Sequence, residues 1–207
     1  GSRGFISEMN FQADLHRDEA LQEELRRIDA AFARSLKPPV PWPSIVCDFM
    51  SQFKPENFGV LGRFKPLVLD GPTRFGKSVF ASSLFGSEDT LVLNCQNLTV
   101  PPLRRYASQW QKIKAIVFEE AGHRLVISNK MLFQGSRQLI ELGLSPTEQH
   151  TYTVLMYFKA LIITSNNFMT GVSAADQHYL DRNVLFMPVT DYLYQKDSDS
   201  SHDHRSG

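Results

Sequence analysis

The sequence predicts an α/β fold with a central, mostly parallel five-stranded sheet, and three observations predict it. Five short segments, 66–70, 90–94, 115–120, 161–166 and 183–189, are apolar or β-branched nearly throughout. That is the pattern of strands buried on both faces of a parallel sheet. Helix-compatible stretches fall between them, notably 77–84 and 103–111, as parallel neighbours require. The first strand also runs directly into a glycine-punctuated loop that ends in Lys-Ser and opens a helix.

Ahead of this sheet the chain divides into a flexible N-terminus over 1–11 and a helical element over 12–37. In the latter, Leu21, Leu25, Ile28 and Phe32 recur at steps of four, three and four, one face of an amphipathic helix. A lone helix cannot bury such a stripe, so it is expected to pack against other subunits or the chain's own core. The run Lys37-Pro38-Pro39-Val40-Pro41-Trp42-Pro43 must stop this helix, because proline cannot continue it and restricts its predecessor. The main domain is then expected over 38–195. It begins with a second helix after Pro43-Ser44, carrying Ile45, Val46, Phe49 and Phe53. The tail over 196–207 holds Asp, Ser and His and no apolar residue, a composition that favours disorder. Gly1-Ser2 reads as a cloning scar, and the natural chain is expected to continue upstream.

Composition sets further bounds. A chain of 207 residues, 42 % hydrophobic and 11 % aromatic, is large enough to bury a core. Lys and Arg total 22 and Asp and Glu total 22. A nucleic-acid partner would therefore have to be served by a local patch, because there is no overall cationic field. Cys47 and Cys95 lie far apart and form no C-x-x-C pair. This suits a reducing, intracellular compartment and argues against a disulfide framework or a zinc site. The apolar runs are too short to span a bilayer and no leader is visible, so neither a membrane partner nor secretion is expected.

Residues 71–78, Gly71-Pro72-Thr73-Arg74-Phe75-Gly76-Lys77-Ser78, form a G-x-x-x-x-G-K-S loop between a strand and a helix. Its glycines let the backbone curl so that successive N–H groups face phosphate oxygens, and the helix N-terminus adds its positive end. Lys77 would reach the β- and γ-phosphates of ATP, and the Ser78 hydroxyl would ligate Mg²⁺. By chance the four fixed positions recur in roughly one chain per hundred of this length, and the flanking strand and helix make coincidence rarer. The strand over 115–120 ends in Glu119 and Glu120, where α/β sheets bind ligands. Glu119 would assist the metal and Glu120 would polarise the attacking water. A solvent-facing strand end that merely carries acids is the plainer reading. The strand over 161–166 ends in Ser165-Asn166-Asn167. There Asn166 is either a water- or γ-phosphate-contacting amide or part of an ordinary polar turn.

Together, Gly-Pro-Thr-x-x-Gly-Lys-Ser, Val-Phe-Glu-Glu and Ile-Ile-Thr-Ser-Asn resemble motifs A, B and C of the superfamily-3 helicases. The resemblance is closest to the replication-initiator (Rep) proteins of small circular single-stranded-DNA viruses, and it spans about 38–189. It implies an AAA-like P-loop NTPase fold, ring assembly as a hexamer, ATP hydrolysis between subunits and movement on single-stranded DNA, with nuclear localisation for a viral-type protein. It matches Gly71, Gly76, Lys77 and Ser78 to motif A, Glu119 and Glu120 to motif B, and Asn166 to motif C. The stretch Tyr179-Leu180-Asp181-Arg182-Asn183-Val184 resembles the family's arginine-finger region. Arg182 is thereby a candidate for a neighbour's γ-phosphate, with a solvated or helix-end arginine as the alternative.

Two features depart from the family. Its helicases carry a hairpin between motifs B and C with a lysine that grips DNA phosphates. Here the stretch 138–157 has no Lys or Arg, and His150 is its only potential cation. Lys130, Arg137 and Lys159 flank it and are the substitutes. No His-hydrophobic-His motif with a nicking tyrosine precedes the helicase-like part, so nicking is not assigned to this chain. The leading expectation is an ATP-driven motor on single-stranded DNA. The alternative is a Rep-derived, nucleotide-dependent assembly module that does not unwind. A small-molecule kinase is a distant third, because no arginine-rich lid is recognisable.

Overall fold

The computed structural model describes residues 42–95, 99–143 and 151–194, together with helical residues 19–21, 23, 24 and 27. Of the predicted N-terminal stripe, Leu21 is half exposed, and Leu25, Ile28 and Phe32 lie outside the described residues. So do His150 and the tail over 196–207.

The chain is an α/β P-loop fold. Helix α1, Ser44–Ser51, leads into β1, Leu67–Asp70, and then α2, Lys77–Ser83. Strand β2, Thr90–Asn94, is followed by a 3₁₀ segment, Leu103–Gln109, and by β3, Ala115–Glu119. Short helices α3, His123–Ser128, and α4, Lys130–Phe133, precede the hairpin of β4, Ile140–Leu142, and β5, Tyr152–Val154. Strand β6, Ala160–Ser165, helix α5, Ala174–Asn183, and β7, Leu185–Pro188, complete the described chain.

The five long-predicted strands form one sheet in the order β2-β3-β6-β1-β7. It is parallel throughout, not just mostly. Alternate residues of each strand serve opposite faces, and both faces are buried. Leu67, Leu69, Val117 and Ile162 pack with Val46 and Phe49 of α1 and Phe80 and Ala81 of α2. Val68, Ile116, Phe118 and Ile163 pack on the other side with Leu125, Leu132 and Leu180 of α3, α4 and α5. This two-sided burial explains why the strands are continuously apolar in sequence.

Boundaries differ from the sequence expectation where the backbone is constrained. Strand β3 stops at Glu119 because Glu120 takes φ +56°, which cannot continue a pleated strand. The expected final strand is shortened at its start, since α5 runs through Asn183. Helix α5 was not apparent from periodicity, yet Ser173 caps it by accepting from the Asp176 N–H at 3.2 Å, a local signal readable in Ser-x-x-Asp.

Lys159 is corrected by the structure. Proposed from sequence as a nucleic-acid contact, it is 9 % exposed. Its ammonium donates to the carbonyls of Trp110, at 2.5 Å, and Ile113, at 2.7 Å, and lies 4.9 Å from the Trp110 ring centre. It therefore ties the entry to β3 to the entry to β6 and offers nothing to a phosphate backbone. Burial lowers its pKa from the ordinary 10.5 to about 8.

This makes a stability prediction. Between pH 8 and 10.5 the unfolded chain carries more protons at this position than the folded chain, so Lys159 makes folding more favourable as pH rises through that window. Denaturant unfolding of the parent and of Lys159→Met across the window should show that rise in the parent only. Parallel profiles would contradict the buried ammonium.

Candidate functional site

The site forms where adjacent strands send their chains to opposite faces of the sheet. After β1 the chain turns into α2 on one face, and after neighbouring β6 it leads to α5 on the other. The divergence opens a crevice at the carboxyl ends of the strands, the usual ligand position in open α/β sheets. A cavity of ≈ 280 Å³ lies there, lined by residues 73, 74, 76–79, 119, 120 and 164–166.

The loop after β1 is held in shape by close backbone approaches. The Gly71 N–H donates to the Ser165 carbonyl at 3.0 Å, stitching β1 to β6. A Cβ on Gly71 would sit 2.1 Å from the Val189 carbonyl oxygen, so only glycine fits. Gly76 has φ +79° and Arg74 φ +71°; these left-handed turns curl the backbone around the cavity. Among the described residues, the N–H groups of 74–78 donate to no internal acceptor, which leaves them available to an anion. Pro72, Thr73 and Arg74 are exposed on the loop's outer rim, whereas Phe75 is half-buried.

Lys77 is the charged centre of the site. It is 8 % exposed, and its ammonium donates to the carbonyls of Gly71 and Pro72 and, at 3.0 Å, to Asn166 Oδ1. The last bond joins the first and third sequence motifs across 89 residues of chain. Burial lowers the Lys77 pKa, and the Asp70 carboxylate opposes that shift.

The acids arrive from β3. Register pairs Glu119 with Thr164 of β6, so both carboxylates line the cavity beside Ser78 and Asn166. Glu120 adopts φ +56°, a conformation that costs a non-glycine residue about 1–2 kcal/mol. Such strain persists only where the surroundings impose it; here the Ala121 N–H donates to the Thr164 carbonyl at 3.3 Å. Cys95, the residue after β2, donates its N–H to the Glu119 carbonyl at 3.0 Å and is buried, and burial together with the Glu119 charge raises its thiol pKa to about 11. It is an inert thiol at neutral pH.

Ser78 and Glu119 present a hydroxyl and a carboxylate to one cavity, a hard oxygen donor set of the kind Mg²⁺ takes together with phosphate oxygens. No group of three or more His, Cys, Asp or Glu able to hold a metal by itself occurs among the described residues. Of those residues, no helix is long and apolar enough to cross a membrane.

The structure also supplies residues that sequence reasoning missed. Asp70 Oδ1 accepts from the Phe168 N–H at 3.0 Å. The Phe168 carbonyl is met in turn by the His123 N–H at 3.1 Å and by His123 Nδ1 at 2.8 Å. This chain of contacts clamps the turn bearing Asn166 to the end of β1 and to the start of α3. The only sequence signals were an acid before the loop's first glycine and a histidine three residues after the acid pair.

The remaining candidates lie elsewhere. Lys130 is exposed and sits 4.4 Å from the Tyr179 ring centre. Arg137 is exposed, lies over the Tyr157 ring and donates to the Gly59 carbonyl at 3.3 Å. With Arg63 it lines an open cavity of ≈ 430 Å³ away from the phosphate loop. Arg182 is exposed in the last turn of α5. Because α5 feeds the start of β7, whose Leu185 pairs with Leu67, Arg182 lies toward the amino edge of the sheet. The length of β1, about 13 Å, separates that edge from its own phosphate loop.

No protein-family model matches the chain, and no curated protein matches it either. Among solved structures, the S. cerevisiae Hsp104–ADP complex is similar at 13 % identity and a TM-score of 0.44, over 72 % of this chain and 32 % of that one. A JCV helicase bound to a thiazolopyridine-bearing acetamide is similar at 14 % identity and a TM-score of 0.40, over 83 % of this chain and 45 % of that one. This chain thus spans about a third of the Hsp104 chain and less than half of the JCV helicase chain. At these values the likeness reaches neither residue roles nor activity.

Proposed function

We propose that this chain hydrolyses ATP with Mg²⁺ as a Rep-type, superfamily-3 helicase motor acting on single-stranded DNA. The observation that carries the hydrolytic part is the convergence of Lys77, Ser78, Glu119, Glu120 and Asn166 on one cavity from three strand ends. The loop N–H groups and Lys77 bind the phosphates, with Lys77 exchanging carbonyl partners for phosphate oxygens. Glu120 accepts the proton of the attacking water, whose oxygen bonds to the γ-phosphorus as the bond to the β–γ bridging oxygen breaks. Asn166 orients that water or the γ-phosphate. Ser78 and Glu119 would hold Mg²⁺, which would supply positive charge to offset that of the phosphates.

The position of Arg182 supports assembly. It does not line the cavity of its own chain, whereas a neighbouring copy arranged head to tail in a ring can receive it. A second reading, a nucleotide-dependent assembly module without unwinding, is favoured by one specific observation. With Lys159 buried, the hairpin flanks keep only Lys130 and Arg137 for DNA. Hydrolysis stimulated by single-stranded DNA supports the motor; unstimulated hydrolysis with ring formation supports the module.

Three outcomes test this reading. Lys77→Ala should abolish hydrolysis with the fold retained by circular dichroism; parent-rate hydrolysis would refute the phosphate site. Glu120→Gln should keep Mg-ATP binding yet lower turnover about a hundredfold or more, and unchanged turnover would remove Glu120 as the base. Mixing inactive Arg182→Ala and Lys77→Ala chains should restore some hydrolysis, because an intact loop can then meet an intact arginine. No rescue, with activity per chain flat on dilution, would leave a monomeric enzyme.

A further inference from the structure

The loop that leads into β1 holds an aromatic side chain out in water on a fixed backbone. Pro55–Asn57 form a 3₁₀ turn. The Phe58 N–H donates to the Pro55 carbonyl at 3.2 Å, and the Val60 and Leu61 N–H groups donate to the Asn57 carbonyl at 3.0 and 3.1 Å. The Tyr157 hydroxyl closes the loop, accepting from the Gly59 N–H at 2.9 Å and donating to the Leu61 carbonyl at 2.8 Å. Phe158 beside it takes φ +64°, a costly backbone for a non-glycine residue that persists only where the surroundings impose it. Its ring meets Phe58 edge to face at 5.1 Å. Phe58 nevertheless stays 64 % exposed, so most of its surface faces solvent.

The same loop continues into the open cavity of ≈ 430 Å³, whose polar lining is Arg63, Gln134, Ser136, Arg137 and Gln138, with no carboxylate. The Phe64 N–H donates to the Gln134 carbonyl at 2.9 Å, which joins the wall bearing Arg63 to the wall bearing Arg137. Arg63 is exposed and makes no hydrogen bond or ion pair among the described residues. Arg137 gives one donor to the Gly59 carbonyl and lies 5.3 Å from the Tyr157 ring centre; a guanidinium carries five donors. Phe58 does not line the cavity but adjoins it through Arg137, since its ring lies 5.7 Å from that same Tyr157 ring. Lys130 extends the positive surface: it lies over Tyr179, whose hydroxyl accepts from Gln134 Nε2 at 3.1 Å.

We propose that this surface is a contact site for single-stranded DNA, with the Arg63 and Arg137 guanidinium groups on backbone phosphates and Phe58 stacking on an unpaired base. It rests on the reading of this chain as acting on single-stranded DNA and names where the strand is held. Two arginines with no carboxylate between them favour an anion with planar, multidentate oxygens. The exposed ring adds a demand that an acidic protein segment does not meet, a flat π-system, and only an unpaired base offers its face. The loop is already ordered by Tyr157 and by its own backbone, so binding loses little freedom. The stretch 138–157 has no Lys or Arg, and this surface supplies the cations that the hairpin lacks.

The test is fluorescence anisotropy of the full chain with labelled oligo(dT) over a range of salt concentrations. Arg63→Gln removes a charge without disturbing a described contact, and Phe58→Leu keeps an apolar contact on Phe158 but removes the π-face. Loss of one phosphate contact should make the fall of log K with log salt shallower by about 0.7 in Arg63→Gln. Phe58→Leu should bind about five- to a hundredfold more weakly at every salt concentration, as loss of one stacking partner does, with the parent's slope. Circular dichroism checks that both variants are folded; if Phe58→Leu is not, the slope of Arg63→Gln decides. Parental affinity and slope in the folded variants, with the parent binding oligo(dT), would overturn this site and leave the motor reading standing. A parent that does not bind oligo(dT) would overturn both. Polyglutamate measured in the same way covers an acidic protein partner: equal weakening for both polymers in Phe58→Leu would overturn the DNA site in its favour.

Discussion

A single buried ammonium organises the carboxyl end of the sheet. Lys77 is nearly inaccessible, and a charge so placed must be surrounded by oxygen. The loop supplies two carbonyls and β6 supplies the Asn166 amide oxygen. Meeting that demand requires β1 and β6 to be neighbours, the loop to curl through left-handed backbone at Arg74 and Gly76, and the turn after β6 to be fixed. Asp70 and His123 fix it through Phe168. The parallel sheet, buried on both faces, is the frame that keeps three strand ends within reach of one cation.

The contrast with Lys159 shows what oxygen ligands alone do not decide. Both lysines are buried, both donate to backbone carbonyls, and burial lowers the pKa of both. Lys159 closes a structural joint beneath the Trp110 ring. Lys77 instead faces a cavity bordered by carboxylates and by unclaimed N–H groups. Under the proposed function a phosphate chain replaces its present partners, whereas Lys159 borders no such cavity. The strained backbone at Glu120 belongs to the same end of the sheet, and packing of β3 against β6 holds the acid pair there despite its cost.

Much of this was legible in the sequence because it is governed by short-range patterns. Five apolar runs marked the five strands, since two-sided burial excludes polar alternation. The loop was legible because only glycine tolerates the Val189 carbonyl at position 71 and the Tyr194 ring over position 76. What was not legible depended on distant partners. The sequence around Lys159 reads like that of any flanking cation; only the carbonyls of Trp110 and Ile113, more than forty residues away, reveal its burial. The clamp from Asp70 to Phe168 spans 98 residues. Helix α5 escaped because its exposed face is polar and its buried contribution is chiefly Leu180, too little for a periodic stripe.

In the proposed function Lys77 exchanges its protein oxygens for those of a nucleotide in this cavity. A structure of the chain with Mg²⁺ and a non-hydrolysable ATP analogue tests it most directly. The γ-phosphate is expected between Lys77 and Asn166, with the ammonium detached from the Gly71 and Pro72 carbonyls and Mg²⁺ on the side of Ser78 and Glu119. A nucleotide bound elsewhere, or bound here with the Lys77 ammonium still on those carbonyls, would contradict it.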